Sequence, residues 1–421
     1  MSQLALAGGT PLRTTPFPSH PIIGDEEKRA VMEVLDSGKL SGFLAVPGEG
    51  FLGGPRVRAF EERFAAYHGV AQAVSFNSAT SALHAAVVAV GVEPGEEVIV
   101  SPYTFTSSAA CALMHQAIPV FADVEDETYG LDPGSIAERI SPLTRAIIPV
   151  HLFGHPAEMD GILRVAREHD LKVIEDCAQS PGARHDGRLV GTLGDCGVFS
   201  FTENKNLATG EGGMLITDDA AIAESARLVR NHGEVVWRAE GPAVYGSSIL
   251  GWNYRMTEME AALGVVQFGK MEQLNQARAD LAGYLTEQLA DVAGLTPTTV
   301  RPGCTHVHYV YAMQYDAERM GLPRDVFVQA VNAEGVPMGG GYVPPLYLGP
   351  IYHERRSPAF AHYRGDARYD QGLCPVTERL HERDLILTGL TRPPAGRSDM
   401  DDIAAAVAKV IENAHELATR V

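Results

Sequence analysis

Between about residues 70 and 220, short apolar, β-branched runs alternate with longer Ala- and Leu-rich stretches. Runs too apolar to leave a face in water, separated by helix-length segments, predict an α/β fold: a mostly parallel sheet covered by helices on both sides. Runs at 73–76, 97–101, 119–122, 146–151, 172–176, 197–201 and 213–217 make seven strands, enough for one large sheet. Helices are expected at 81–90, 159–169 and 220–231, with Asp or Ser near several starts and Gly or His near several ends. Phe60, Phe64 and Tyr67 recur at i, i+4, i+7, so 57–67 reads as an amphipathic helix packed on the body.

After Thr257 the pattern becomes one long helical segment, 258–292, whose length suits an element leaving one domain and entering another. A boundary near residue 272 divides a large domain with an N-terminal arm, 1–272, from a smaller α+β domain, 273–421. In the latter, 308–315 alternates like a strand, 324–334 reads as a helix, and 400–417 is amphipathic through Ile403, Val407, Val410 and Ile411. Gly339, Gly340 and Gly341 and the Pro- and Tyr-rich 342–352 read as loop, the usual carrier of specificity.

Composition narrows the function classes. The 421 residues are 45% hydrophobic and 21% charged, which supports a large core and excludes a disordered chain. Lys+Arg total 34 against 53 Asp+Glu, and a net charge of −19 repels phosphate backbones and anionic lipid surfaces. Nucleic-acid and membrane roles therefore drop out, and no run approaches the ~18 apolar residues of a membrane span. The five scattered cysteines form no CxxC pair, and no signal-peptide pattern opens the chain, so a cytoplasmic enzyme without disulfides or structural zinc is expected.

Chemistry concentrates between Val173 and Gly213. Asp176 ends a buried strand, where open α/β sheets place their ligands, although the same residue type also caps helices. Only six of the 34 basic residues are lysines, and Lys205 stands between a strand and the Gly-rich turn Gly210-Glu211-Gly212-Gly213. A primary amine there suits a Schiff-base lysine as well as an ordinary loop residue. Asn77-Ser78-Ala79-Thr80-Ser81 opens a helix, a phosphate site or a plain N-cap. Tyr103 and Phe105 follow another strand end, where a ring stacks on a planar ligand or joins the core. A phosphate at 78–80, an aromatic face at Phe105, a carboxylate at Asp176 and an amine at Lys205 together match pyridoxal 5′-phosphate (PLP).

The ordered motifs Asn77-Ser78-Ala79-Thr80, Glu175-Asp176-x-Ala178-Gln179, Phe199-Ser200-Phe201-x-x-x-Lys205-Asn206 and Gly210–Gly213 resemble the DegT/StrS family of PLP-dependent sugar and cyclitol aminotransferases, a branch of the aspartate-aminotransferase-like (type I) fold. The likeness extends through Arg230-Asn231-His232-Gly233 and Gly251–Glu258. It implies that 1–272 binds PLP, that Lys205 carries it as a Schiff base, and that Asp176 pairs with the pyridine nitrogen. It implies Gln179 beside the ring hydroxyl, Phe105 on the opposite face, and phosphate contacts from Ser78, Ala79, Thr80 and Ser200. Asn253 is then expected to reach the phosphate of a neighbouring subunit in a homodimer with shared sites.

By the same resemblance, L-glutamate or L-glutamine donates the amino group and a ketosugar or an inosose-like cyclitol accepts it, in a pathway such as antibiotic or surface-sugar synthesis. Gly8-Gly9-Thr10-Pro11 and 344–350 look closer to the cyclitol and antibiotic-pathway members. Arg255, His308, Tyr342 and Tyr347 are expected to border the acceptor site, and the lengthened segment 41–54, with Phe43, Pro47 and Phe51, to remodel that pocket or decorate the surface. Lysine rather than histidine at 205 favours transamination over the family's sugar dehydratases; an aminohydroxybenzoate-synthase-like dehydration keeps the same lysine and stays open. A non-catalytic PLP-binding regulator is disfavoured by the complete catalytic set. An NAD oxidoreductase lacks its G-x-G-x-x-G after the first strand.

Overall fold

The computed structural model describes residues 3–46, 48–237 and 244–417; Pro47 lies outside the described residues. Seven strands form the large sheet: β1 (Gln72–Phe76), β2 (Glu97–Val100), β3 (Ile118–Phe121), β4 (Thr144–Ile148), β5 (Lys172–Asp176), β6 (Cys196–Ser200) and β7 (Gly213–Thr217). Their order is β1-β7-β6-β5-β4-β2-β3, and only β7 runs antiparallel to its neighbours. All seven expected strands are present, two with the expected bounds and five with ends moved by one to three residues. Nearly every strand residue is buried, as two covered faces require.

The helices that position the site are α1 (Asp25–Ser37), α2 (Pro55–His68), α3 (Ala79–Ala89), α4 (Ser107–Met114), α5 (Met159–Glu168), α6 (Ala220–Arg230) and α7 (Glu258–Leu289). In α2, Phe60 and Phe64 are fully buried against Phe199 and Phe201 of the β6 region, as the i, i+4 spacing predicts. α3 is apolar almost all round and lies in the core. A capping box starts α7: Thr257 Oγ1 accepts from the Glu260 amide, and Glu260 Oε2 accepts from the Thr257 amide. At ~1.5 Å per residue, the 32 residues of α7 span about 48 Å, from the aromatic cluster of α2 to the second core.

That second core surrounds an antiparallel sheet of β8 (Leu295–Pro297), β9 (Tyr311–Tyr315), β10 (Gly339–Gly340) and β11 (Leu385–Thr388), ordered β8-β9-β11-β10. α8 (Arg324–Ala333), α9 (Arg397–Glu412) and the last turns of α7 cover it. Three sequence expectations change here. Gly339 and Gly340, expected in a loop, form the edge strand β10. The strand expected from 308 begins at Tyr311, because His308 holds a left-handed φ of 46° that no strand tolerates. The loop 342–352 contains the short helical turns Leu346–Leu348 and Pro350–His353.

Two crossings between the cores are unannounced by the sequence. The N-terminal arm packs on the second core through Leu4, while Arg13 pairs with Asp399 at 2.8 Å and Asp402 at 2.7 Å. After β10 the chain returns to the large sheet, where Tyr347, Tyr352 and Tyr369 surround Phe121 of β3 and the Tyr369 hydroxyl donates to the Pro119 carbonyl at 2.8 Å. Among the described residues no helix is long and apolar enough to cross a membrane.

Candidate active site

β1, β2, β4, β5 and β6 run in one direction, so their C-terminal ends meet at a single edge of the sheet. A cavity of about 440 Å³ opens there. It is lined by Ser78, Ala79 and Thr80 after β1, Phe105 and Ser108 after β2, Asp176 and Gln179 at and after the end of β5, Ser200 and Lys205 at and after the end of β6, and Tyr342 after β10. Nine of the thirteen residues singled out in the sequence thus converge on one space.

Asp176 is 3% exposed. Its Oδ2 accepts from Ser108 Oγ at 2.7 Å, and Oδ1 accepts from the Ala178 amide at 3.0 Å. Burial pushes its carboxyl above the usual range, opposed by those two donors and by the charge of Lys205. Burial likewise brings the Lys205 ammonium down to about 8, with Asp176 pulling the other way. Lys205 is fixed through its main chain: its amide donates to the Thr202 carbonyl at 2.9 Å, and its carbonyl accepts from His20 Nε2 at 3.0 Å. Its Nζ lies 4.3 Å from the centroid of the Tyr309 ring.

Gln179 Oε1 accepts from the Phe153 amide at 2.8 Å, and its Nε2 donates to the Tyr342 hydroxyl at 3.3 Å. Ser78 caps α3 by accepting from the Ser81 amide at 3.1 Å, which leaves the Ala79 and Thr80 amides free at the positive end of the helix. The cradle needs a glycine opposite: a Cβ on Gly213 would come within 2.6 Å of the Ala79 nitrogen. Phe105 is 57% exposed, an apolar ring held open beside the cavity.

This donor set fits PLP on its own chemistry. A buried carboxylate without an ion pair among the described residues suits a ring N–H cation, the amides and hydroxyls at 78–80 and 200 suit a phosphate, and a lysine amine whose pKa burial brings down to about 8 suits an aldehyde.

Four expected residues lie elsewhere in this chain. Tyr347 is fully buried in the large-sheet core with its hydroxyl donated to Glu378, so it borders no substrate space, a correction to the expectation. His308 stacks on His306 at 3.9 Å between ring centroids, beside rather than in the cavity wall, and burial takes its imidazole down to about 4. Arg255 Nη1 donates to Asn231 Oδ1 at 2.9 Å. Asn253 is exposed in an isolated bridge to Asn231, outside this cavity. Conversely, Ser108, Asn204 and Tyr309 line the cavity without having been singled out; Ser108 is one of several small residues in an Ala/Ser helix, and Tyr309 follows His308 in what reads as an ordinary strand.

The strand order, the site at the strand ends and the smaller antiparallel sheet near the C-terminus define an aspartate-aminotransferase-like, type I fold. The chain belongs to the DegT/DnrJ/EryC1/StrS aminotransferase family, whose model matches residues 21–407. The family is PLP-dependent. The L-glutamine:2-deoxy-scyllo-inosose aminotransferase of Streptoalloteichus tenebrarius is 36% identical over 426 residues, covering 98% of this chain and 99% of that one. GDP-perosamine synthase of Caulobacter vibrioides is 34% identical, over 93% and 97% of the two chains. Among solved structures, DesI in the presence of its TDP-sugar product matches with a TM-score of 0.82 at 30% identity, covering 99% of this chain and 98% of that one.

Proposed function

We propose that this protein is a PLP-dependent aminotransferase that moves the amino group of L-glutamine or L-glutamate onto a keto group of a sugar or cyclitol. The observation that carries the reading is the convergence of Asp176, Lys205 and the free α3 amides in one cavity. When bound, PLP supplies an electron sink for the carbanion at the donor's α-carbon. Asp176 keeps the ring nitrogen protonated. The Ala79 and Thr80 amides, with the Thr80 and Ser200 hydroxyls, hold the phosphate, and Phe105 and Gln179 orient the ring. Lys205, with an amine depressed to about 8, takes the proton from the donor α-carbon and returns it to the product side as general base and acid.

The glutamine-dependent inosose relatives and the nucleotide-sugar relatives support both acceptor classes equally. Tyr342, hydrogen-bonded to Gln179, is this chain's own candidate for the acceptor side. Exposure of Asn253 supports its reaching a second copy's phosphate, and hence a homodimer with shared sites.

The near-visible absorbance of the purified protein tests the reading. A band from lysine-bound PLP should disappear on adding L-glutamine or L-glutamate, with release of the matching keto acid, and an inosose or ketosugar should restore it. Lys205→Ala should retain PLP non-covalently and lose turnover by at least ~10²–10⁴-fold. Undiminished turnover in that variant, or no reconstitutable PLP band in the wild type, would overturn the assignment.

A further inference from the structure

Among the described residues, two clusters of side chains able to ligate a metal ion stand outside the cavity lining, and they are satisfied to opposite degrees. In the first, His151, Glu175 and Cys177 are buried together. His151 Nε2 donates to Glu175 Oε2 at 3.0 Å, and His151 Nδ1 accepts from the Ala157 amide at 3.0 Å. Glu175 accepts further from the Gly191, Leu193 and Gly194 amides. The imidazole and the carboxylate are already bound to the fold, and an ion entering there would have to displace those bonds.

The second cluster has no such bonds. Asp160, in the first turn of α5, and His185 and Asp186, at a hairpin turn, bring one imidazole nitrogen and two carboxylate oxygens within 4.8 Å of one another. Both aspartates are exposed, and among the described residues neither carboxylate has a hydrogen bond or an ion pair. The arginines on either side of the turn are directed elsewhere: Arg184 Nη1 donates to the Gly187 carbonyl at 2.9 Å, and Arg188 Nη2 to the Thr192 carbonyl at 2.7 Å. His185 is 5% exposed, yet its ring too has no hydrogen-bond or ion-pair partner among the described residues, against the rule for a buried polar group. Gly303 leaves room for one carboxylate, since a Cβ there would come within 2.0 Å of Asp186 Oδ1. A tetrahedral zinc ion holds its ligands at ~2.0–2.2 Å, hence about 3.4 Å apart, so closing the three around an ion takes an inward swing of about an ångström from two exposed side chains.

We propose that Asp160, His185 and Asp186 bind a divalent transition-metal ion such as zinc, with water completing its coordination. Two neighbouring carboxylates without a cation repel each other, and an ion between them turns that repulsion into attraction. The imidazole selects zinc-like ions over magnesium and calcium, which prefer oxygen alone. None of the five cysteines enters the set, so the cysteine spacing that spoke against structural zinc has no bearing on it. The ion joins the start of α5 to the hairpin, whose strand Arg184–His185 pairs with Cys304–Thr305 on the way to Tyr309 and β9. None of the three residues lines the catalytic cavity, so the site is structural and independent of the aminotransferase reading.

Zinc chloride titrated calorimetrically into the PLP-loaded protein, stripped with a chelator and freed of excess PLP, tests the site. The wild type should take up zinc saturably at this site and unfold at a higher temperature in its presence. Asp160→Asn, at an exposed position, and Asp186→Asn, at a φ of 47° that asparagine tolerates, should each weaken that binding at least ~10-fold and abolish the thermal shift, with the PLP absorbance unchanged. His185→Gln should do the same; the two aspartate variants keep the test valid should it fold poorly. Magnesium chloride should bind the wild type at least ~10-fold more weakly than zinc. No saturable zinc uptake by the wild type, or uptake undiminished in both aspartate variants, would overturn the site, and magnesium bound as tightly as zinc would overturn the part given to the imidazole.

Discussion

Asp176 and Lys205 hold each other in check across the cavity: burial discourages the charge on each, and each is the other's principal countercharge until the cofactor arrives. Two predictions belong at this scale. Ser108 Oγ donates to Asp176 Oδ2 at 2.7 Å, a charge-assisted bond that favours the ionised carboxyl. Ser108→Ala should therefore weaken PLP binding by roughly 1–2 kcal/mol, about a tenfold rise in Kd. Lys205 has a folded pKa of about 8 against 10.5 ordinarily, so its burial penalty is fully present below about pH 8 and is relieved as pH rises toward 10.5. In the cofactor-free protein, Lys205→Met should stabilise the fold at pH 7 by ~3 kcal/mol, with the gain fading toward pH 10.5; denaturant melts across that range would show it. Asp176 and Lys205 were legible because strand ends and a rare residue type advertise them. Ser108 and Tyr309 were not, since their roles come from what the fold brings opposite them.

The elements carry the motif residues that chemistry alone did not explain. Arg230 and Glu258 belong to the recognised motifs yet sit away from the cavity lining. Arg230 is buried against Glu61 and the Ser75 carbonyl, tying α6 to α2 and β1. Glu258 accepts from the Arg56 and Val57 amides and so caps α2 from the start of α7. Arg230→Met leaves the Glu61 carboxylate without its cation, and thermal unfolding should report a loss of ~3–5 kcal/mol with no specific change in donor recognition. Segment 41–54 is anchored to the same motif: Arg230 stacks on Phe43 at 4.7 Å, and Asn231 donates to the Leu44 carbonyl. The strands were readable because burial on two faces leaves continuous apolar runs. The hairpin of Glu234–Trp237 and Val244–Ser247, the helix α1 and the edge strand β10 were not, because short or polar elements take their form from neighbours rather than from periodicity.

At the scale of the whole molecule, shared sites make a sharp prediction. Lys205→Ala and Asn253→Ala protomers, each inactive alone, should recover about a quarter of wild-type turnover when unfolded together and refolded in equal amounts, because half the dimers are mixed and each has one intact site. No recovery would separate Asn253 from the partner's cofactor. The sequence also suggested a chain divisible near residue 272, and the structure describes how that division is bridged. The N-terminal arm lies on the second core, and Tyr347, Tyr352 and Tyr369 come back to wall Phe121 of β3. A protein laced this way has no seam along which a recombinant could be cut: exchanging everything after 272 for a relative's sequence, in the hope of importing its acceptor, would also replace one wall of the cofactor sheet and leave the native arm gripping a foreign lobe. Working chimeras should come from joints that move 1–20 with the C-terminal part and keep 344–378 with the sheet it covers.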